Sequence, residues 1–198
     1  IVSEFVREHA HKQGTPTMGG LIVLVGLVLA AGCSMAWTRD GWALPGLVLV
    51  FVFALIGFID DYVVPRKLQG KRGLGWKQKL VLQVSGCGVA MVLAGITNPV
   101  SIAMGTFVVL FFSNAYNFSD GLDGLAGTLG LLICGFGSAM ALAVGDLTTF
   151  AWLAILAGAM VPFLWLNAPP ARVFMGDVGA LPIGALLGWI WLELWRQG

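Results

Sequence analysis

The chain has 198 residues, 58% hydrophobic and only 11% charged, with a mean hydropathy of +0.89. A soluble domain carries roughly 25% charged residues, so this chain cannot cover itself for water. The net charge of +1 excludes a basic nucleic-acid-binding protein. Abundant Leu, Val, Ile and Phe exclude disorder, and the 28 glycines lack the period-three repeat of collagen. What remains is an all-α, polytopic transmembrane helix bundle.

The chain opens on a polar, Gly-rich segment, His11-Lys12-Gln13-Gly14-Thr15-Pro16-Thr17-Met18-Gly19-Gly20. Its backbone amides, Lys12 and the Thr hydroxyls are suited to a phosphate. It is not a P-loop, because the Gly-Lys-Ser/Thr ending is absent. His9 and His11 read as solvated residues. Cutting the rest at its charges predicts seven spans, near 19–37, 42–59, 80–96, 101–115, 125–144, 150–166 and 180–192. Crossing the hydrocarbon core takes ~20 residues, so the shorter runs must borrow flanking ones. The runs are continuously apolar, which argues against barrel strands. Cys33, Cys87 and Cys134 fall inside them without metal-type spacing and read as small packing residues. Residues 1–198 form one transmembrane domain. Since Ile1 is not an initiating Met, the chain is read as a fragment of a longer one.

Lys and Arg then sort the connections. Arg7, Lys12, Arg66, Lys67, Lys71, Arg72, Lys77, Lys79 and Arg172 fall on one side; only Arg39 and Arg196 fall on the other. The positive-inside bias makes the richer side cytoplasmic. Segments 1–18, 60–79, 114–123 and 167–177 therefore share the cytoplasmic face, and short, bland connections occupy the other.

Five acids stand at the mouths of apolar runs on that face. Asp60 and Asp61 end an apolar helix, where the backbone dipole disfavours anions. A magnesium ion, which takes carboxylate and phosphate oxygens, would offset them. Asp120 and Asp123 are three apart, as are Asn114 and Asn117, a spacing that shares a helix face. A cap on the following helix uses one of Ser119 or Asp120, and the cluster exceeds that need. Asp177 follows Arg172-Val173-Phe174-Met175-Gly176, with Asn167 and Pro169-Pro170 before it. It either caps the last helix or joins the other acids. By spacing alone Phe174 reads as core or lipid contact.

Carboxylates from three loops, a phosphate-friendly segment and a basic loop on one face are equipment for metal-assisted phosphoryl chemistry at a bilayer surface. A transporter is the rival class. Transporters place ionisable groups near the bilayer midplane, and the middles of these spans carry none.

Gly-Thr-Pro-Thr-Met-Gly-Gly at 14–20, Asp60-Asp61, the run Asn114 to Asp123 and Phe174-Met175-Gly176-Asp177 resemble the phospho-N-acetylmuramoyl-pentapeptide transferase family. That family belongs to the polyprenyl-phosphate N-acetylhexosamine-1-phosphate transferases. The motifs run in family order over nearly the whole chain, and segment 12–20 favours the muramoyl-pentapeptide branch over related hexosamine-1-phosphate transferases. The resemblance implies transfer of phospho-N-acetylmuramoyl-pentapeptide from its UDP carrier to undecaprenyl phosphate. Lipid I and UMP are the products, Mg²⁺ is the cofactor, and the place is the bacterial inner membrane. It implies a catalytic role for Asp60, Asp61 and Asp177, with Asp177 the magnesium ligand. Substrate contacts fall on Lys12, Thr17, Lys79, Asn114, Asn117, Asp120, Asp123 and Asn167, and Phe174 becomes a stacking platform for uracil. A second copy of the chain, in a homodimer, is a further partner on this reading. Direct attack by the lipid phosphate with Asp60 as base, and a covalent aspartyl intermediate, both stay open.

The departures are Asn-Phe-Ser-Asp at 117–120 for the usual Asn-Leu-Thr-Asp, and Gly-Ala-Leu at 179–181 for Gly-Ser-Leu. The family resembles a ten-helix bundle with a His-rich loop late in the chain, against seven spans here. The expectation is that these residues alone transfer little, and an inactive shortened homologue is the third reading.

Overall fold

The computed structural model describes residues 15–38, 43–68 and 73–197, without the side chains of 33–38, 43 and 197. Its elements, in order, are α1 (Gly20–Thr38), α2 (Ala43–Phe58), a π turn (Ile59–Val63), α3 (Val64–Lys67), α4 (Trp76–Leu93), α5 (Pro99–Ser119), α6 (Leu125–Val144), α7 (Leu147–Asn167) and α8 (Asp177–Gln197). No strand occurs among the described residues.

A helix is found at each predicted span, and α2 with its continuation, α4 and α8 run past the charges used to cut them. α5 starts at Pro99, whose missing N–H is no loss at a first helical position. Asn98 caps it, its Oδ1 accepting from Val100 and Ser101 amides at 2.9 and 3.2 Å. Asp146 caps α7 by accepting from the Thr149 amide at 3.0 Å. Pro162 in α7 and Pro182 in α8 are tolerated, as in other membrane helices.

Among the described residues, five helices are long and apolar enough to cross a membrane: Leu44–Lys67, Pro99–Ser119, Leu125–Val144, Leu147–Asn167 and Asp177–Arg196. Gly20–Gly32 is a shorter apolar helix. In α4, Lys77, Gln78, Lys79 and Gln83 dilute the apolar run.

α8 is the axis of the bundle. Its spanning window is 83% buried, against 33% or less for the other four. It packs on α5 and α2, while α7 packs on α6 and α1, and α4 bridges α2 and α5. One apolar cluster joins α1, α6, α7 and α8 through Leu27, Cys134, Phe163 and Ile183; the other joins α2, α4, α5 and α8 through Phe53, Met91, Val109 and Trp189. Cys87 and Cys134 are buried free thiols within them. Large apolar side chains on the outer faces, including Leu29, Phe51, Phe107 and Phe136, are exposed, as lipid contact requires. α1 meets α8 through glycines: a Cβ on Gly20 would lie 2.2 Å from the Gly179 Cα.

Antiparallel neighbours bring the start of α1, the end of α2, the start of α4, the end of α5, the start of α6, the end of α7 and the start of α8 to one end. These are the ends that the charge asymmetry places on a common face.

Candidate active site

The site forms around the first residue of α8. Asp177 accepts from the Lys79 ammonium of α4, and its Oδ1 accepts from the Asn117 amide of α5 at 2.7 Å. Lys79 also donates to Asp60 Oδ2 at 3.0 Å. Asp60 is further held by the Leu74 backbone amide, which donates to Oδ1 at 2.6 Å. Lys79, Asp60 and Asp177 are largely buried, with side chains 14–21% exposed. Desolvation by burial opposes the ammonium of Lys79, but its bonds and charge contact with Asp177 and Asp60 prevail and hold its pKa above the usual lysine value.

The expectation that the helix ends at Asp60-Asp61 is corrected. It continues through the π turn into α3. A π turn widens one turn of helix and often marks a functional position. Here it lets adjacent acids serve different partners: Asp60 faces Lys79 and Leu74, while Asp61 Oδ2 accepts from the Val178 amide at 3.0 Å. Asp61 thus satisfies a first-turn N–H of α8, where a helix favours negative charge. The carboxylate of Asp177 itself turns away from capping and toward Lys79 and Asn117.

The second cluster also departs from expectation. Neither Ser119 nor Asp120 caps α6. The residue before that helix is Gly124, in the left-handed region, with no side-chain cap. Ser119 donates to the Tyr116 carbonyl. Asp120 and Asp123 lie in the turn between helices rather than on one helix face, and each holds a loop. Asp120 Oδ2 accepts from the Gly176 amide at 2.9 Å, and Asp123 Oδ2 accepts from Ala171 at 3.1 Å. Burial pushes Asp120 up to about 7; the Gly176 amide opposes that rise, and the charges of Asp177 and Asp61 add to it. On α5, Asn114 and Asn117 have different partners: Asn117 reaches Asp177, while Asn114 donates to Gln83 Oε1 at 3.3 Å and to the Leu110 carbonyl at 2.8 Å.

Asn167 is buried and bonded at both ends. Its Oδ1 accepts from Gly124 and its Nδ2 donates to the Val173 carbonyl, which ties the 120–124 turn to the 168–176 loop. Phe174 is half-buried in that loop, which is non-helical as the prolines predict. Its amide donates to the Pro16 carbonyl at 2.9 Å, and its carbonyl accepts from Gly19 at 2.7 Å. Gly20 donates to Met175 at 3.0 Å. The amides of Gly19 and Gly20, expected as part of a phosphate cradle, are therefore bonded to this loop. Met18, at φ 72°, turns the chain into that pairing. Thr17 lies exposed beside it. Lys12, His9 and His11 lie outside the described residues.

Asp60, Asp61 and Asp177 can each offer an oxygen, with these atoms all within 4.8 Å of one another. With Asp120 nearby, four carboxylates meet one ammonium among the described residues, an excess of negative charge that suits a cation. The donors are all oxygens and only partly buried, which fits a hard divalent ion that keeps water or phosphate ligands. Sequence reasoning missed the Leu74 and Val178 amides, which backbone geometry alone supplies. It also missed Gln83, although a lone amide one turn after Lys79 on an apolar helix was a signal.

Fold and site together define a multi-pass helical membrane protein with a lysine-bridged carboxylate centre at one end of its bundle. The family model for Glycosyl transferase family 4 matches residues 43–194, and phospho-N-acetylmuramoyl-pentapeptide-transferase signature 1 matches residues 12–24. A phospho-N-acetylmuramoyl-pentapeptide-transferase of Staphylococcus carnosus (strain TM300) is 32% identical over 217 residues, covering 98% of this chain and 67% of its own length. The protein of the same name from Staphylococcus aureus (strain Newman) is 36% identical over 219 residues, with the same coverage. The chain belongs to glycosyl transferase family 4 and, within it, to the phospho-N-acetylmuramoyl-pentapeptide-transferases.

Proposed function

We propose that the chain transfers phospho-N-acetylmuramoyl-pentapeptide from its UDP carrier to undecaprenyl phosphate, giving lipid I and UMP at the cytoplasmic face of a bacterial inner membrane. The observation that carries this reading is the meeting of Asp60, Asp61 and Asp177 with Lys79 and Asn117 at one bundle end. It occurs in a chain 98% of which aligns with relatives bearing that transferase name. The basic residues of the 60–79 stretch support attraction of polyanionic substrates.

In the reaction, an oxygen of undecaprenyl phosphate attacks the sugar-linked phosphorus of the donor. A phosphorus–oxygen bond forms, the bond to the bridging oxygen breaks, and the electron pair leaves on UMP. Asp60 accepts any proton that the attacking phosphate carries. With Oδ1 on the Leu74 amide and Oδ2 on Lys79, Asp60 keeps a second lone pair on each oxygen for a proton. The same lone pairs serve a base in direct transfer and a nucleophile in an aspartyl intermediate. Lys79 stabilises negative charge on the phosphates. Asp177, with Asp60 and Asp61, would hold Mg²⁺, which supplies positive charge against the phosphoryl oxygens. Phe174 stacks on uracil, and Lys12, Thr17, Asn114, Asn117, Asp120, Asp123 and Asn167 surround the donor or hold its loops. The exposed apolar faces of α2, α4 and α5 suit bilayer lipid and a second copy of the chain.

The test is radiolabelled lipid formation in detergent, by the 198-residue chain and by the chain carrying flanking helices of a relative, run side by side. Mg²⁺-dependent lipid product with matching UMP release is expected. Absence of product from both forms would overturn the reading.

A further inference from the structure

One turn deeper in the bundle than Lys79 and Asn117 lies a second polar layer. Gln83 follows Lys79 by four residues on α4, and Asn114 precedes Asn117 by three on α5, so each pair stacks along one helix face. Gln83 is 1% exposed. Its Oε1 accepts from Asn114 Nδ2, while its own Nε2 is buried with no hydrogen-bond partner. Beside this pair, Ser113 donates to the Leu181 carbonyl, one turn into α8 from Asp177.

An unpaired buried donor weakens a fold, and an apolar side chain of similar size would remove that penalty. Packing therefore gives no reason for an amide at position 83. What Gln83 does supply is a fixed acceptor. An amide side chain is nearly symmetric in shape, and only its bonds decide which end points where. With Nδ2 of Asn114 committed to Gln83 and Leu110, Oδ1 is the end of Asn114 left for other partners.

We propose that Gln83 is a positioning residue of the transfer reaction: through Asn114 it fixes the α4–α5 seam that presents Lys79 and Asn117 to Asp177 and the reacting phosphates. This rests on the transferase reading. Gln83 touches none of the reacting atoms and acts through its neighbour. Removing its acceptor leaves Asn114 held by the Leu110 carbonyl of its own helix alone, so the α4–α5 seam is free to shift, and small misplacements of reacting groups are costly in rate.

The experiment uses whichever chain supports transfer in the assay above, with thermal unfolding measured on the same preparations. Gln83→Leu is expected to keep or raise the melting temperature and to lower kcat about tenfold or more, with donor KM little changed. Gln83→Glu keeps an oxygen acceptor and should retain most of kcat. In an Asn114→Ala background, Gln83→Leu should have no further effect. Wild-type kcat in a folded Gln83→Leu variant would overturn the proposal while leaving the transferase reading intact. So would parallel loss of stability and rate in both Gln83 variants, or full additivity with Asn114→Ala. No lipid product from any unsubstituted form would overturn the transferase reading and this proposal with it.

Discussion

Lys79 stands between two carboxylates on different helices, and that choice of partners organises the chemistry residue by residue. It lowers the mutual repulsion of Asp60 and Asp177 and leaves Asp61 for the start of α8. Asp177 is bonded to a cation and to an amide from two other helices, so replacing it acts mainly on the site. Asp177→Asn, nearly equal in shape, is expected to lose at least about a hundredfold in turnover with membrane insertion and melting temperature preserved. Near wild-type turnover would move the metal role to other acids. Asp120 gives the pH expectation. Its ordinary value is 3.8 and its folded value about 7, so the folded, metal-free chain holds a proton that the unfolded chain releases. The resulting stability is complete below the unfolded value and is lost as pH rises through about 7. Thermal unfolding without Mg²⁺ should show a fall between about pH 4 and pH 7, and Asp120→Asn should lessen it. An unchanged slope in that variant would assign the dependence to another group.

Among the elements, the join of α2 to α8 constrains the site directly. A Cβ on Gly57 would lie 2.3 Å from the Asp177 carbonyl oxygen and 2.4 Å from the Val178 nitrogen. Those atoms are backbone at the head of the axial helix, so they cannot swing aside as a side-chain end would. Gly57→Ala should push the π turn from α8, loosen the Asp61–Val178 bond and separate Asp60 from Lys79. The expected loss of stability is roughly 1–3 kcal/mol, with turnover falling further than stability alone accounts for. Unfolding in detergent and UMP release, measured together, check this; unchanged values for both would mean the helices adjust freely. Asn167, Asp120 and Asp123 act at the same scale, since each bonds a backbone group of a loop. The wall formed by the 120–124 turn, the 168–176 loop and residues 16–20 is therefore built by polar residues that sequence reading assigns to substrate.

At the scale of the whole molecule, alternation of helices brings seven helix ends to one face, and the charge asymmetry predicts that this face is cytoplasmic. In a cysteine-free background, Gly70→Cys should label only from the cytoplasmic side and Asn98→Cys only from the other. The reverse pattern would overturn the orientation. The sequence by itself determined the class and the helices, because a bilayer excludes charge and unpaired backbone and apolar run length records both; Lys/Arg placement adds the expected face. It also marked Asp60, Asp61, Asp120, Asp123 and Asp177, since acids at the mouths of apolar helices stand out against their surroundings. Only the tertiary structure decided what each acid does. That Asp61 serves α8, that Asp120 and Asp123 hold loops, that Gly19 and Gly20 bond Phe174 and Met175, and that Gln83 lies behind Lys79 all depend on contacts between distant segments. Those contacts follow from how close α1, α2 and α5 approach the axial helix and how α4 packs on α2 and α5. Glycines and one π turn set that distance, and neither the period nor the composition of any single helix carries it.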